Sequence, residues 1–327
     1  MTEVALAVVG LGYWGPNIAR NVAASAGARL AWCCDDDAAA LGRAATAFPG
    51  VRVTSSLDEV LADGELDGVL LATPVRTHAE LALRVLAAGK HCFVEKPLAT
   101  SVADAQSVLD GAGGRVLMVG HLLEYHPGVR ALAELIAAGE LGEVRYIYSH
   151  RLNLGQLRAD ENALWSLGAH DVAVILGLLG EEPVELDARG ECYVQPGIED
   201  VVFAFMRFRS GVAAHLHLSW LDPHKERRLT VVGSRRMATF DDMAIERKLT
   251  VYDKGFDERA EGWGEYIARS GASMSPRLAA SEPLRLEVEH FVRCIERGES
   301  PRTDGASGLR VVRVLEGLQA QLQASRR

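Results

Sequence analysis

The most constraining feature of the sequence is a glycine-rich turn between a short apolar segment and a helix near the N-terminus. Residues 4–9 form an uninterrupted apolar run, and Gly10, Gly12 and Gly15 follow it in the pattern G-x-G-x-x-G. The first glycine of this pattern makes the turn, the second lets a pyrophosphate approach the backbone, and the third lets the helix pack closely on the strand. Pro16 suits the first helical turn, whose free N–H groups can bind phosphate. The segment therefore predicts a dinucleotide-binding βαβ unit.

The alternation of buried strand and helix continues through the first third of the chain. Further apolar runs of strand length are separated by alanine-rich helical stretches, and Gly89 has the position of a glycine that ends a helix. These runs are residues 30–34, 68–71, 91–94 and 116–119. Alternating strands and helices form right-handed crossovers in a doubly wound parallel sheet, which is the Rossmann arrangement.

After residue 121 the pattern changes to strands in succession. Ser210–Gly211 and Gly233–Ser234 lie between strand-like runs, where tight hairpin turns are expected. One predicted helix, at 166–179, interrupts predicted strands at 145–151, 184–194, 201–209, 212–220, 227–232 and 237–240. These signals predict an α+β domain with a mostly antiparallel open sheet that is covered by helices on one face.

Three regions follow from these patterns. We expect a Rossmann dinucleotide-binding domain at 1–121 and an α+β substrate-binding and oligomerisation domain at 122–300. A stripe of Leu and Val in the last segment predicts a C-terminal helix within 301–327, and we expect this helix to pack back on the first domain.

An acidic side chain follows the second predicted strand. Asp35 lies 25 residues after Gly10, close to the position at which NAD-binding Rossmann domains place a carboxylate. A carboxylate there accepts hydrogen bonds from the adenosine ribose and repels the 2′-phosphate of NADP. Asp36 and Asp37 add to this repulsion, and one of them is expected to cap the next helix. We therefore predict NAD as the cofactor in preference to NADP.

The composition restricts the partners. Among 327 residues, 44 acidic side chains outnumber 35 basic ones, which gives a net charge of −9. Without a basic excess we expect neither nucleic acid nor a membrane as partner, but a small-molecule substrate. The five cysteines show no C-x-x-C pattern, so we expect no disulfide framework and no metal. No leader or membrane-spanning run is visible, which predicts a cytoplasmic protein.

Several short motifs distributed over nearly the whole chain point to one family. The most specific is Glu95–Lys96–Pro97, directly after a predicted strand. The others lie at residues 73–78, 120–121, 162–165, 170–171, 227–242 and 282–284. Together they resemble the glucose–fructose oxidoreductase/inositol dehydrogenase (Gfo/Idh/MocA) family, in particular its sugar-nucleotide branch. The resemblance implies hydride transfer between NAD(H) and a hydroxyl-bearing carbon of a sugar, sugar nucleotide or cyclitol, by an NAD-dependent dehydrogenase or ketoreductase.

The resemblance also implies roles for individual residues. Lys96 would hold the nicotinamide ribose and the reacting oxygen, and its ammonium would favour developing alkoxide character. His170 would be the general base, since imidazole titrates near neutral pH. The implied cofactor contacts are Gly10, Gly12, Tyr13, Trp14, Gly15, Asp35, Thr73, Pro74, His78, Glu95 and Lys96. The implied substrate contacts are His121, Tyr125, Arg151, Trp165, Ser166 and Asp171, with Arg158 as a further cation for a phosphate or carboxylate.

One position departs from the family pattern. The family commonly carries Asp four residues before the catalytic His, and this chain has Ser166 there. Serine supplies no charge to pair with Lys96 or to raise the basicity of His170. Asp171 lies about 100° around the helix from His170, so it cannot take the place of the missing Asp. Two alternatives to a dehydrogenase stay open: redox-assisted elimination or epimerisation, and a regulator that binds the cofactor on a scaffold without activity. The presence of both Lys96 and His170 favours an enzyme.

Two further expectations concern the second domain and the Lys96 turn. The uncovered sheet face, with Phe203, Phe205 or their alternates, predicts a homodimer or homotetramer. His215 and His217 share one strand face, but two histidines without a third ligand do not indicate a metal. The family resemblance implies a cis peptide bond between Lys96 and Pro97.

Overall fold

The computed structural model describes residues 3–258 and 266–325 and divides the chain into two compact units. Within the described residues, the first unit comprises the chain up to Tyr125 together with Ser281–Arg313. The second unit comprises His126–Ala280 and the segment that begins at Val314. Each unit contains one sheet.

The first unit is built on a parallel sheet of six strands. The strands are β1 (Val4–Val9), β2 (Ala28–Cys34), β3 (Arg52–Thr54), β4 (Gly68–Leu71), β5 (His91–Glu95) and β6 (Leu117–Gly120). The helices between them are α1 (Gly15–Ala24), α2 (Ala38–Ala47), α3 (Leu57–Leu61), α4 (His78–Ala87) and α5 (Val102–Asp110). The predicted doubly wound sheet is confirmed, since all neighbours in the order β3-β2-β1-β4-β5-β6 pair in parallel. Only β3 was not predicted, because three mostly exposed residues show no pattern.

Strand β1 lies where the strand order changes direction. It pairs with β2 on one side and with β4 on the other. Open α/β sheets bind ligands beyond the carboxyl ends of the strands at such a point. All six residues of β1 are buried, as expected for a strand of a parallel sheet that helices cover on both faces. The glycine-rich turn that follows β1 is therefore at the ligand-binding edge of the sheet.

The second unit contains a sheet of eight strands. The strands are β7 (Val144–Leu154), β8 (Pro183–Glu191), β9 (Val201–Phe208), β10 (Ala213–Ser219), β11 (Leu221–Gly233), β12 (Met237–Asp241), β13 (Leu249–Glu258) and β14 (Tyr266–Met274). Helices α6 (Pro127–Ala137) and α7 (Ala169–Leu179) belong to the same unit. In the order β14-β13-β12-β11-β7-β10-β9-β8, only the β7–β10 pairing is parallel. The predicted mostly antiparallel sheet is confirmed, and β13 and β14 extend it beyond the predicted strands.

The alternation of side chains along β9 distinguishes the two faces of this sheet. Val202 and Met206 are buried, whereas Phe203 is 52% exposed and Phe205 is partly exposed. Period-2 alternation is typical of a sheet that packs on one face only. The face that carries Phe203 is the uncovered face expected from the sequence.

A helix from the C-terminal part of the chain completes the core of the first unit. Helix α8 (Pro283–Arg297) buries Val288 and Phe291 in the same hydrophobic cluster as Leu6 and Phe93. The rings of Phe93 and Phe291 are 5.9 Å apart, edge to face. The expected domain boundary at residue 300 is therefore corrected, because α8 belongs to the first unit. Its apolar stripe predicts a helix but does not indicate which sheet the helix covers.

The last helix, α9 (Gly305–Ser325), is shared between the units. Its residues up to Arg313 group with the first unit, on which the helix was expected to pack, and those from Val314 group with the second. The predicted apolar stripe is buried throughout, at Leu309, Val312, Leu315, Leu318 and Leu322. Across residues 3–258 and 266–325, no helix combines the length and the apolarity needed to cross a bilayer.

Candidate active site

The glycine-rich turn after β1 leaves open space beside its central residue. Gly10 has φ +90°, and a Cβ on it would lie 2.6 Å from the carbonyl oxygen of Ala72. A Cβ on Gly15 would overlap the carbonyl oxygen of Gly10. A Cβ on Gly12 would meet no described atom within 4 Å. The turn therefore fits a pyrophosphate that approaches Gly12 closely at the start of α1.

The two aromatic residues of the turn have different surroundings. Tyr13 is 92% exposed, whereas Trp14 is partly buried and its indole N–H donates a hydrogen bond to the carboxyl group of Glu95. The two rings stack with centroids 6.4 Å apart. No side chain of the described residues caps the start of α1. The backbone N–H groups there can therefore donate to an anionic ligand.

Asp35, directly after β2, is hydrogen-bonded to the glycine-rich turn. Its Oδ2 accepts a hydrogen bond from the backbone N–H of Leu11 at 2.5 Å, and its Oδ1 accepts one from the N–H of Asp37 at 2.8 Å. Asp37 in turn caps α2 by accepting from the N–H of Ala39 at 2.8 Å, which confirms the predicted capping role. The negative charge of Asp35 thus lies beside the turn that fits the pyrophosphate.

His78, at the start of α4, connects two loops at the ligand-binding edge. Its Nδ1 lies 2.8 Å from the carbonyl oxygen of Pro97, and its Nε2 lies 2.9 Å from that of Thr73. Burial lowers the pKa of His78, while both carbonyl groups oppose the shift. Because the imidazole is fully enclosed, its placement favours a link between loops over the predicted cofactor contact. Thr73 and Pro74 keep exposed surface.

The Glu95–Lys96–Pro97 turn begins at the last residue of β5. Its Lys96–Pro97 peptide bond is cis, as predicted. The backbone N–H of Lys96 donates a hydrogen bond to Oε2 of Glu95 at 3.3 Å. Burial raises the pKa of Glu95 to about 7, although the Lys96 charge and the hydrogen bonds from Lys96 and Trp14 oppose the rise. Lys96 therefore follows a partly buried glutamate whose Oε1 is enclosed, at the edge where sheets of this kind bind ligands.

His121 and Tyr125, both predicted to contact substrate, are buried within the first unit. Burial, and after it the charge of Lys96, lowers the pKa of His121 to about 3, so its imidazole is neutral. The hydroxyl of Thr303 donates to the carbonyl of Val119 at 2.7 Å, so the Tyr125 hydroxyl is the donor in its 3.1 Å bond to Thr303. The burial of both side chains favours supporting roles over direct substrate contact.

In the second unit, one turn of π-helix precedes α7. This turn spans Leu164–Gly168, and His170 is the second residue of α7. The sequence predicts a single α-helix in which Ser166 lies one turn before His170. Ser166 instead lies in the wider π turn, where α-helical spacing does not apply. Such turns are frequent at functional sites, and both side chains are partly exposed.

Asp171, the neighbour of His170, forms a buried ion pair with Arg151 of β7. The Nε of Arg151 lies 2.6 Å from Oδ2 of Asp171, and its Nη2 lies 3.1 Å from Oδ1. The hydroxyl of Ser149 donates to the same Oδ1 at 2.7 Å. Because the pair engages both charges, the placement of Arg151 and Asp171 favours anchoring the first turn of α7 over the predicted substrate contacts.

Trp165 and Arg158 both retain exposed surface. The indole N–H of Trp165 donates to Oε1 of Gln319 at 3.2 Å, and the side-chain amide of Asn162 donates to the same oxygen at 2.8 Å. The Trp165 ring stays partly exposed. Arg158 pairs with Glu161 at 3.1 Å and is half exposed.

The histidines of β10 lie on the uncovered face of the second sheet. His215 stacks on Tyr148 with ring centroids 5.5 Å apart, and His217 stacks on Phe203 at 4.4 Å. Within the described part of the chain, no three His, Cys, Asp or Glu side chains are grouped so that they could hold a metal ion. The two histidines are part of an aromatic surface.

Comparisons with known proteins agree with this architecture. The family model for an oxidoreductase family with an NAD-binding Rossmann fold matches residues 4–121, and the model for the GFO/IDH/MocA C-terminal domain matches residues 129–239. The crystal structure of a putative oxidoreductase from Magnetospirillum magnetotacticum is 31% identical over 96% of this chain and 99% of its own, with a TM-score of 0.84. The chain belongs to the Gfo/Idh/MocA oxidoreductase family.

Other relatives in the Gfo/Idh/MocA family have named activities. UDP-N-acetylglucosamine 3-dehydrogenase from Acidithiobacillus ferrooxidans is 29% identical over 316 residues, which is 95% of each chain. Its crystal structure matches with a TM-score of 0.84 over 99% of both chains. The scyllo-inositol 2-dehydrogenase (NAD(+)) of Bacillus subtilis is 25% identical over 91% of this chain and 88% of its own. As a Gfo/Idh/MocA protein, the chain is an oxidoreductase whose first unit is an NAD-binding Rossmann domain.

Some residues that shape this Gfo/Idh/MocA site were not predicted from the sequence. Thr303 accepts a hydrogen bond from Tyr125, and Gln319 accepts one from Trp165. Glu287 of α8 lies buried beside the Glu95 carboxyl group. Each partner is more than a hundred residues away along the chain. No local pattern marks such a contact, because periodicity predicts which face is buried and not what it is buried against.

Proposed function

We propose that the protein transfers a hydride between NAD(H) and a hydroxyl-bearing carbon of a sugar nucleotide. The observation that carries the proposal is Lys96, at the end of a parallel strand in a domain whose Gly12 turn fits a pyrophosphate. The similarity to UDP-N-acetylglucosamine 3-dehydrogenase over 95% of both chains makes sugar nucleotides the first substrate class to test. Bound NAD supplies the hydride acceptor, and the residues of this chain handle the proton and the charge.

In this proposal, Lys96 and His170 act on the reacting hydroxyl. During oxidation, His170 takes the hydroxyl proton while the carbon loses its hydrogen as hydride, and the C–O single bond becomes a carbonyl. The Lys96 ammonium stabilises the negative charge that develops on the oxygen. Reduction follows the same steps in reverse. Ser166 contributes at most a hydrogen bond, since it carries no charge.

The remaining predicted contacts divide by exposure. Tyr13, Thr73 and Pro74 present surface near the glycine-rich turn and are proposed to contact the cofactor. Trp165 is proposed to pack against the substrate, as its ring is partly exposed. Arg151 and Asp171 support His170 indirectly through their ion pair.

A cyclitol is the second substrate class that the comparisons favour. The similarity to scyllo-inositol 2-dehydrogenase spans most of both chains, although identity is lower than for the sugar-nucleotide enzyme. A cyclitol lacks the nucleotide diphosphate, so it has no anionic group for Arg158. Weakened turnover of a sugar nucleotide in Arg158→Gln, with unchanged turnover of an inositol, would identify the phosphate contact.

The experiment is a panel of sugar nucleotides and inositols with NAD⁺, and of the corresponding ketones with NADH, followed at the NADH absorbance band. Lys96→Ala serves as the control for non-enzymatic change. Mass spectrometry of the product separates the reaction classes: loss of two hydrogens indicates oxidation, loss of water indicates elimination, and an unchanged mass with altered chromatography indicates epimerisation. Tight NADH binding without turnover of any compound in either direction would contradict the proposal and favour the regulator.

We also propose that the protein works in the cytoplasm as a homodimer or homotetramer. The aromatic face that carries Phe203 and Tyr148 supports the assembly, since exposed apolar surface of this kind is typical of an interface between copies. NAD(H) chemistry supports the compartment.

A further inference from the structure

A group of buried ionisable side chains lies in the first unit beside the Lys96 turn. Glu287 of α8 is 0% exposed, and neither carboxyl oxygen has a hydrogen-bond partner among the described residues. Oε1 of Glu95 and both ring nitrogens of His121 are also buried atoms without a hydrogen-bond partner among the described residues. Buried polar atoms without partners are rare in native proteins. Their accumulation beside Lys96 requires a physical explanation.

Ionising the carboxyl groups of Glu95 and Glu287 together is unfavourable. Burial raises the pKa of Glu287 well above its ordinary value, and the carboxyl groups of Glu95 and Glu124 raise it further. Burial also raises the pKa of Glu95 to about 7. Two interacting carboxyl groups in one enclosed site hold a proton between them, because desolvation and like charge both oppose the second ionisation.

The surroundings decide which of the two groups keeps the negative charge. Glu95 accepts hydrogen bonds from the Lys96 backbone and the Trp14 indole, and the Lys96 ammonium is close to it. Glu287 has no donor of this kind among the described residues, and two other carboxyl groups face it. The anion is therefore more stable on Glu95, and the proton is more stable on Glu287.

We propose that Glu287 is a positioning residue for Lys96: as a neutral acid it donates a hydrogen bond to the Glu95 carboxylate and holds that carboxylate beside Lys96. Gly120 supports the arrangement from the next strand, because a Cβ there would lie 3.1 Å from Oε2 of Glu95. The role of Lys96 rests on the proposed function, whereas the location of the proton does not.

Other charged and titratable groups surround the pair. Glu124 and Tyr125 interact with Glu287, and Tyr125 stays neutral because burial raises its pKa. His121 interacts with Lys96 and is neutral. The groups that face Glu124 are Arg302, Arg310 and Asp304. Among the described residues, none of these cations shifts the pKa of Glu287, so the proton is the remaining means of neutralising its charge.

The first test follows stability against pH and needs no substrate. A folded-state pKa raised above the unfolded value costs the wild type stability as pH rises from the unfolded pKa towards the folded one. Glu287→Gln keeps the shape of the side chain and a hydrogen-bond donor but cannot ionise. The variant therefore does not lose stability in this way as pH rises. We expect the Tm of the variant, relative to wild type, to rise by roughly 3 °C or more between about pH 5 and about pH 8.

The matched control is Glu289→Gln on the same helix, which removes a partly exposed carboxylate paired with Arg285 at 2.7 Å. We expect its Tm difference from wild type to lack the upward trend with pH. If Glu287→Gln shows a Tm difference that is the same at both pH values, or that falls as pH rises, Glu287 is not a neutral acid in the folded protein and the proposal is overturned.

The second test measures positioning. Glu287→Met keeps the volume but removes the donor, and we expect it to lower kcat by roughly tenfold with the Kd for NADH nearly unchanged. Glu287→Gln is expected to restore kcat to within about threefold of wild type. Equal kcat in the two variants would overturn the positioning role. A failed substrate screen contradicts the proposed function alone, because the pH test stands without turnover.

Discussion

The Asp35 carboxylate accepts a hydrogen bond from the backbone N–H of Leu11, with the two atoms 2.5 Å apart. The bond joins the end of β2 to the glycine-rich turn. We propose that this charge selects between the ribose of NAD and the 2′-phosphate of NADP, and it is bound to the same turn that fits the pyrophosphate. In this proposal, cofactor choice and cofactor binding depend on one local structure.

We expect NADH to bind at least about tenfold more tightly than NADPH, a difference of about 1.4 kcal/mol, because Asp35 favours ribose hydroxyls and repels the 2′-phosphate. Isothermal calorimetry measures both values of Kd. Asp35→Ser should narrow the difference, and Asp36→Ser, at an exposed neighbour, should change it less. Equal or tighter binding of NADPH to the wild type would contradict the assignment.

Lys96→Ala and His170→Ala are each expected to lower kcat by roughly 10²-fold or more, because charge stabilisation and proton transfer are lost. The Kd for NADH should stay nearly the same. Exposed His224 and Lys225 on β11 offer matched controls, and their replacement by Ala should leave kcat unchanged. Wild-type turnover in His170→Ala would show that another group is the base.

Ser166→Ala is expected to lower kcat by less than about threefold, since no charge is removed from the π turn. Ser166→Asp should leave the fold intact, because the side chain is partly exposed, and should raise kcat if the family carboxylate is all that the site lacks. Steady-state kinetics and circular dichroism test both variants. If Ser166→Ala lowers kcat as much as His170→Ala does, Ser166 takes a direct part in the chemistry.

Arg151→Met is expected to destabilise the second unit by about 3–5 kcal/mol, because it leaves the Asp171 charge buried without its partner. Urea unfolding measures this loss. The double variant Arg151→Met with Asp171→Leu should recover a large part of it, since no buried charge remains. The single variant Asp171→Leu completes the comparison. If the losses of unfolding free energy in Arg151→Met and Asp171→Leu simply add in the double variant, the ion pair does not couple the two residues.

Phe203→Asp is expected to shift the protein towards the monomer, because it places a charge on the uncovered sheet face. Light scattering at micromolar concentration reports the change in mass. Glu185→Gln, at an exposed position of the neighbouring strand β8, should leave the mass unchanged. A wild type that is already monomeric would contradict the proposed assembly.

Local patterns in the sequence determined much of the fold and of the predicted cofactor site. Apolar runs and helical stripes predicted the parallel sheet, the glycine spacing predicted the pyrophosphate turn, and Asp35 followed from its offset after Gly10. These features depend on neighbours within a few residues, where strand and helix periodicity and turn geometry act. The predicted role of Lys96 and the cis bond to Pro97 depended on the resemblance to the family.

The tertiary structure alone decided which partners these elements have. It placed α8 in the first unit, divided α9 between the units, enclosed His78 and Tyr125, and paired Arg151 with Asp171. It also brought Glu287 beside Glu95 across nearly two hundred residues of chain. The physical reason is that burial and ion pairing depend on the three-dimensional neighbours of a side chain, whereas a periodic pattern specifies only the face that it occupies.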